Sequence, residues 1–151
     1  MVSHEPIFTI YAMQQFFNKL TSNPKRLFLI DGFGAFLTAF FLFAILKTFN
    51  EYFGMPKTTL DFLSIIALAF SVYSFCCFFL VNNNWHPFLR AISIANLLYC
   101  CLTLGLVIYN YPRLTILGVT YFLLEIVVVC GLVFFEINVL TISKRRRHND
   151  F

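Results

Sequence analysis

Four ionisable residues lie inside long apolar stretches of this sequence and are its best candidates for chemistry: Asp31, Arg90, Glu125 and Glu136. Carboxyl groups in such surroundings bind and release protons, whereas an arginine can bridge two carboxylates through its planar guanidinium group. A charge at the centre of a bilayer costs about 2.5 to 3.5 kcal/mol on insertion scales. Each of these residues therefore needs a polar partner within the fold.

Three of these residues are predicted to meet near one membrane boundary. Asp31, Arg90 and Glu136 all fall within about two helical turns of the same predicted boundary, on three different helices. One arginine between two carboxylates would hold these helices together. We therefore predict that Asp31, Arg90 and Glu136 form a buried polar cluster.

Glu125 lies near the middle of its apolar segment and is the residue that helix packing explains least. One hypothesis is a path for protons or a small solute, because carboxylates in membranes often mark such routes. The path would be lined by Glu125, Asn96, Tyr99 and Tyr121, with Tyr73 as a further candidate. The alternative is a protonated Glu125 that hydrogen-bonds to Asn96 or to a tyrosine and serves packing alone.

Metal, redox and nucleotide chemistry find little support in the sequence. The five cysteines all lie in apolar segments without Cys-x-x-Cys spacing, and the three histidines lie in a turn or near the chain ends. Gly32 and Gly34 lack the third glycine of a dinucleotide-binding loop. We therefore expect no metal, no cofactor and no nucleic-acid partner.

The elements that position the ionisable residues are four apolar segments, at about 27–46, 60–81, 88–109 and 114–140. Each is long enough to cross a hydrocarbon core of about 30 Å, and backbone groups in lipid must be hydrogen-bonded within their own segment. The composition is 60% hydrophobic and 12% charged, which excludes a soluble monomer. The sequence therefore predicts an all-α fold, a four-transmembrane-helix bundle over residues 25–142.

Each predicted span carries one line of small or polar residues at helical spacing, while its other faces are bulky and apolar. Such lines let helices approach closely and hydrogen-bond in lipid, so they mark the faces that point into the bundle. The lines are Asp31, Ala35 and Thr38 in the first span; Ser64, Ala67, Ser71 and Ser74 in the second; Arg90, Ser93, Asn96, Cys100 and Thr103 in the third; and Gly118, Tyr121, Glu125 and Glu136 in the fourth.

The chain termini differ from the bundle. Residues 1–24 mix apolar and polar side chains without a clean stripe, which favours a short interfacial helix, and they lack the pattern of a signal peptide. Residues 143–151 form a basic tail that either binds anionic lipid or acts as a topology signal. Its candidates for contact with lipid headgroups are Lys144, Arg145, Arg146 and Arg147.

Basic residues are distributed unevenly between the two predicted sides of the membrane. Of the 11 Lys and Arg residues, eight fall on the side of the termini and three on the other side. Because an excess of basic residues stays on the cytoplasmic side, both termini are predicted to be cytoplasmic.

Three stretches carry a resemblance to known proteins: KRLFLIDGFGAFLTAF at 25–40, ANLLYCCLT at 95–103 and LTILGVTYFLLE at 114–125. There the sequence resembles a group of small four-helix integral membrane proteins of bacteria. The resemblance implies a helical bundle in a bacterial inner membrane. It implies no activity, because none is assigned to that group.

Three functional interpretations follow. The leading one is a non-enzymatic membrane protein that acts through helix packing with partners or with itself, and it predicts an enclosed Glu125. The alternative is a small oligomeric, proton-linked transporter or channel using Glu125, which predicts a wet cavity reaching that residue. The third is an enzyme acting on a lipid or quinone at the membrane boundary through Asp31, Arg90 and Glu136, which predicts a groove beside Arg90.

Overall fold

The structure, a computed structural model, describes residues 5–23 and 25–149. Its described part is helical, with no β-strand. The helices are α1 (Glu5–Ser22), α2 (Lys25–Phe40, continued by a π-helical segment, Phe41–Leu46), α3 (Asn50–Phe53), α4 (Lys57–Leu80), α5 (Trp85–Tyr109) and α6 (Ile116–Asn149).

Four helical stretches are long and apolar enough to cross a membrane: Lys25–Leu46, Lys57–Leu80, Trp85–Tyr109 and Ile116–Arg145. In an apolar 18-residue window of each stretch, only 22% to 39% of the residues are buried within the protein. Exposure of the apolar side chains on the remaining faces would be unfavourable in water but is favourable against lipid. The chain is thus an all-α multi-pass membrane protein with four spanning helices and a short N-terminal helix.

The helices extend beyond several of the limits expected from hydropathy. The second and third spanning helices begin three residues earlier than expected, at Lys57 and Trp85. The last helix continues without a break to Asn149, so most of the predicted basic tail is helical. Charged residues end a membrane span, but they do not by themselves end a helix.

Side-chain contacts at one end of the bundle join α2, α4, α5 and α6. Lys25 Nζ donates a hydrogen bond to Asn82 Oδ1 at 2.6 Å. His86 Nε2 lies 2.9 Å from Ser143 Oγ. The start of α2, the turn between α4 and α5 and the late part of α6 therefore share this end, which we call the Lys25 end.

The opposite end is closed by contacts between α3 and the start of α6. The Thr115 hydroxyl donates to the Tyr52 carbonyl oxygen at 2.5 Å, and the Thr115 amide donates to the Phe53 carbonyl oxygen at 3.2 Å. We call this the Thr115 end. The four spanning helices therefore alternate in direction, and α2 begins at the same end of the bundle at which α6 finishes.

Backbones approach so closely at the Thr115 end that two positions require glycine. A Cβ atom on Gly118 would lie 2.2 Å from the Phe53 carbonyl oxygen, and one on Gly54 would lie 2.0 Å from the Arg113 carbonyl oxygen. Gly54 also ends α3 with a left-handed backbone, φ +76°, which side chains disfavour. Both clashes are with backbone atoms, so no side-chain rotation relieves them.

Gly118→Ala should destabilise the folded protein, because α3 must move away from α6 to admit the methyl group. The measurement is the midpoint of denaturation by SDS in mixed micelles. Gly105→Ala is the matched control, since a Cβ there meets no atom within 4 Å and alanine is the better helix former by about 1 kcal/mol. Equal midpoints for the two variants would contradict the close approach.

Apolar packing is concentrated in two clusters with buried polar residues between them. The cluster towards the Lys25 end consists of Leu27, Phe28, Cys77, Val81, Leu89, Ile92 and Val139. The cluster towards the Thr115 end consists of Leu42, Leu46, Met55, Leu60, Leu63, Tyr99, Val107 and Phe122. The buried serines of α4, and Ser93, Asn96 and Thr103 of α5, lie on the faces that their spacing predicts, whereas Arg90 is exposed.

Candidate functional site

Three buried carboxyl groups on the neighbouring helices α2 and α6 accept hydrogen bonds from three residues of α5. The positions are three residues apart, so each lies about 4.5 Å further along α5 and about 60° further around it than the one before. We call these three pairs the carboxyl ladder. The hydrogen bonds are Ser93 Oγ to Glu136 Oε2 at 2.6 Å, Asn96 Nδ2 to Asp31 Oδ1 at 2.6 Å, and Tyr99 OH to Glu125 Oε1 at 2.8 Å.

The ladder is enclosed and contains no cation. The exposed fractions are 1% for Asp31, 8% for Glu125 and 0% for Glu136. Within the described part of the chain, the hydrogen-bond partners of these carboxyl groups are hydroxyl and amide groups, all of them neutral. Burying an unpaired charge is costly, so a ladder without cations favours carboxyl groups that carry protons.

The carboxyl groups differ in how fully their oxygens are bonded. Both oxygens of Asp31 accept, one from the Asn96 amide and the other from the Ser74 hydroxyl. Glu136 Oε1 and Glu125 Oε2 have no hydrogen-bond partner among the described residues. An ionised carboxylate only accepts, whereas a protonated one also donates. Both oxygens of Asp31 are therefore occupied by donors, while each glutamate has one oxygen left unbonded among the described residues.

A small cavity inside the bundle lies beside the middle of the ladder. Its volume is about 70 Å³, and Asp31, Thr38, Asn96 and Tyr99 contribute its polar lining. The other lining residues belong to α2, α4 and α6, and most of the lining is apolar. One water molecule needs a cavity of at least about 10 to 15 Å³, so this one has room for more than one beside its polar groups.

Glu125 is enclosed by side chains, and Tyr99 connects it to the cavity. Tyr99 both lines the cavity and donates to the Glu125 carboxyl group, which itself is absent from the cavity lining. Tyr121 is half-buried and packs edge-on against Phe53, with ring centroids 6.2 Å apart. Tyr73 lies away from the ladder and donates to the Phe88 carbonyl oxygen at 3.4 Å.

Arg90 does not join Asp31 and Glu136, so the three-residue cluster expected from the sequence requires correction. Its side chain is exposed, and among the described contacts no ion pair links it to either carboxyl group. At 100° per residue, Arg90 lies about 100° from the buried Leu89 and about 60° beyond Ser93. It therefore falls at the edge of the buried face, where a long basic side chain reaches outward.

Arg90 instead lines a groove between α5 and α6 on the outside of the bundle. The groove has a volume of about 770 Å³. Towards the Lys25 end, its basic and imidazole side chains come from His86, Arg90 and Lys144. Deeper in the span, its apolar walls come from Ile94, Leu97, Val133 and Ile137. We call this the α5–α6 groove.

The predicted headgroup contacts of the tail are described only in part. Lys144 and Arg145 are exposed on α6. The side chains of Arg146 and Arg147 lie outside the described residues, although the helix continues through them. Contact of this tail with lipid headgroups therefore stays a prediction.

Comparison of the chain with protein-family models, with curated proteins and with solved structures finds no match in any of the three. The resemblance to small bacterial four-helix proteins thus stays a prediction. The function has to be argued from the ladder and its surroundings.

Proposed function

We propose that this chain is a non-enzymatic membrane protein that handles protons, with the carboxyl ladder as the place where protons are held and exchanged. The observation that carries this proposal is the set of three buried carboxyl groups from α2 and α6 that accept hydrogen bonds from three α5 residues, with neutral donors only among the described residues. Carboxyl groups within membrane helices commonly belong to proton routes. This is the proton-linked interpretation of Glu125, extended to Asp31 and Glu136. The enclosure of Glu125 is by itself what the packing interpretation predicts, so the proposal depends on Tyr99, which joins Glu125 to the cavity.

Neutral hydrogen-bond partners favour proton exchange over permanent charge. A salt bridge would hold a carboxylate ionised, whereas hydroxyl and amide donors permit both forms. Ser93 and Tyr99 carry hydroxyl groups, which can accept one proton while donating another. Each carboxyl group of the ladder thus accepts from one hydroxyl group that can relay a proton: Ser74 for Asp31, Tyr99 for Glu125 and Ser93 for Glu136.

The cavity connects Asp31 with Tyr99, two side chains that no hydrogen bond joins within the described part of the chain. Asp31 and Tyr99 both line it, and its size admits more than one water molecule. A proton passing from Asp31 through water to the Tyr99 oxygen would release the Tyr99 hydroxyl proton to Glu125, the direction in which that hydrogen bond donates. Glu136 and Asp31 bind Ser93 and Asn96, which are three residues apart on α5, so the two carboxyl groups are neighbours in the ladder.

Proton flux through reconstituted protein tests this proposal. The full chain is placed in vesicles with an imposed pH gradient, and a trapped pH-sensitive dye reports the internal pH. We expect faster equilibration than with a variant carrying Asp31→Asn, Glu125→Gln and Glu136→Gln, since amides cannot carry the exchanged proton. Equal rates for the two folded proteins would overturn the proposal.

Self-association is a second candidate, favoured by one feature of the outer surface. Cys101 and Gly105 are exposed four residues apart on α5, and a Cβ on Gly105 would meet no atom within 4 Å. Small residues at this spacing let membrane helices associate closely. If the ladder variant conducts as the parent does, this packing role becomes the better account and the ladder serves to hold the helices together.

The Lys25 end is proposed to face the cytoplasm of a bacterial inner membrane. The side carrying eight of the 11 basic residues includes Lys25, Arg90 and the end of α6. The contacts Lys25–Asn82 and His86–Ser143 bring the corresponding helix ends together. The excess of basic residues at this end supports the assignment.

A further inference from the structure

The α5–α6 groove changes from polar to apolar along its length, as an amphiphile does. His86 and Lys144 lie towards the Lys25 end, where the helices leave the membrane. Leu97 is 11 residues further along α5 than His86, which corresponds to about 16 Å of depth. A molecule lying along the groove would therefore have its polar part at headgroup level and its apolar part among the acyl chains.

The mouth of the groove is positively charged. Arg90 and Lys144 are exposed, and neither takes part in an ion pair within the described part of the chain. The ion pair that is described, Lys47 with Asp61 at 2.7 Å, lies towards the Thr115 end. The nearby carboxyl groups of Asp31 and Glu136 are buried and absent from the groove lining.

The imidazole at the mouth is held in place by two contacts. His86 Nε2 lies 2.9 Å from Ser143 Oγ, which joins the two helices at the boundary. The His86 ring also stacks on Trp85, with centroids 3.8 Å apart and planes 23° apart. The contacts of His86 thus fix the mouth of the groove at the interface of α5 and α6, and Arg90 and Lys144 extend from its two sides.

We propose that the α5–α6 groove binds one anionic phospholipid, with its phosphate between Arg90 and Lys144 and an acyl chain along the apolar walls. A guanidinium group binds phosphate through two parallel hydrogen bonds, and a lysine adds a point charge. The groove volume, about 770 Å³, lies in the usual range for ligand sites, about 300 to 1,000 Å³. Charge complementarity selects an anionic lipid over a zwitterionic one.

The geometry indicates lipid binding rather than lipid chemistry. The boundary-enzyme interpretation requires Asp31, Arg90 and Glu136 to act together on a substrate. Arg90 is in the groove, but both carboxyl groups are behind it, separated from it by the Ser93 side chain and the rest of the wall. The groove thus contains Arg90 but neither of the two carboxyl groups that an enzyme site there would need.

Fluorescence quenching of Trp85 tests this proposal on the full chain. Trp85 is the single tryptophan of the sequence and its ring stacks on the groove residue His86. The protein is reconstituted in vesicles of phosphatidylcholine and phosphatidylglycerol, with bromine atoms on the acyl chains of one lipid at a time. We expect stronger quenching by brominated phosphatidylglycerol than by brominated phosphatidylcholine at equal mole fraction.

Substitutions in the groove test whether it causes the preference for the anionic lipid. Arg90→Ala with Lys144→Ala should abolish the difference between the two lipids, and Arg90→Lys should retain part of it. Lys57→Ala is the matched control, because Lys57 is an exposed basic residue at the start of α4 near the Thr115 end. Each brominated lipid should quench Trp85 in this variant as strongly as in the parent. Equal quenching by both lipids in the parent protein, or an unchanged preference in the double variant, would overturn the proposal.

One further variant separates this site from the ladder. Glu136→Gln should leave the lipid preference unchanged, because Glu136 is fully buried and outside the groove lining. Loss of the preference in this variant would contradict a binding site confined to the groove. The lipid proposal and the proton proposal can therefore fail separately.

Discussion

Asp31→Asn should reduce proton flux to the level of vesicles without protein, while the bundle stays folded. Asp31 holds the central position of the carboxyl ladder and lines the cavity. Asparagine has nearly the same shape and can still hydrogen-bond to the Asn96 amide and the Ser74 hydroxyl. It cannot bind the exchanged proton, so the connection between Glu136 and Glu125 is interrupted. Dye-loaded vesicles with an imposed pH gradient provide the measurement.

Asp61→Asn is the matched control for this loss of flux. The Asp61 carboxyl group is half-exposed and pairs with Lys47 at 2.7 Å, outside the ladder. The same chemical change at this position should leave the flux at the parent value. Undiminished flux in the Asp31 variant, or an equal loss in the Asp61 variant, would show that the ladder is not the route.

Phe122→Ala should produce a large loss of stability. Phe122 is fully buried in the apolar cluster of the Thr115 end. In lipid, helices gain little from the hydrophobic effect, so their stability rests on close packing and interhelical hydrogen bonds. Removing the ring forfeits its contacts and leaves a cavity, and we expect the free energy of unfolding to fall by about 3 kcal/mol.

The comparison for Phe122 lies on the same helix. Phe134 is 67% exposed on α6, so its ring meets lipid rather than protein in the spanning helix. Phe134→Ala should change the free energy of unfolding by less than about 0.5 kcal/mol. The free energy of unfolding of both variants is measured by SDS titration in mixed micelles. Equal losses in the two variants would indicate that α6 is rotated about its axis.

The number of spanning helices and their inward faces were accessible from the sequence for a physical reason. Lipid leaves helices as the only spanning form available to segments of this length, and small or polar residues must turn away from acyl chains. Ser71 and Ser74 on α4 follow that rule. Details set by packing were not accessible, such as the π-helical segment in which the Lys47 amide bonds to the Leu42 carbonyl oxygen at 3.1 Å.

The partners within the site depend on helix rotation and register, which one sequence does not contain. The sequence left Asn96 or a tyrosine open as the partner of Glu125, and the relative height of α5 and α6 selects Tyr99. The spacing of Ser93, Asn96 and Tyr99 was a usable signal for the ladder, because each lies three residues from the next. The predicted line followed Ser93 and Asn96 but continued through Cys100, one residue beyond Tyr99.

The error about Arg90 also has a physical explanation. Three-residue steps drift by about 60° around a helix, so a line extended by one step leaves the buried face. An arginine at that edge, close to the end of α5, reaches the boundary without crossing the bundle. The carboxyl groups that it was expected to neutralise are bonded by Ser74, Ser93 and Asn96 instead.

The most direct test of the account is infrared spectroscopy of the lipid-embedded protein at neutral pH, before and after transfer to D₂O. The account predicts a carbonyl-stretch band from protonated carboxyl groups that shifts on deuteration and is missing from the variant with Asp31→Asn, Glu125→Gln and Glu136→Gln. A band that does not shift would show that the protons are fixed in place. No band at all would show that the ladder holds no protons, and either result would contradict the account.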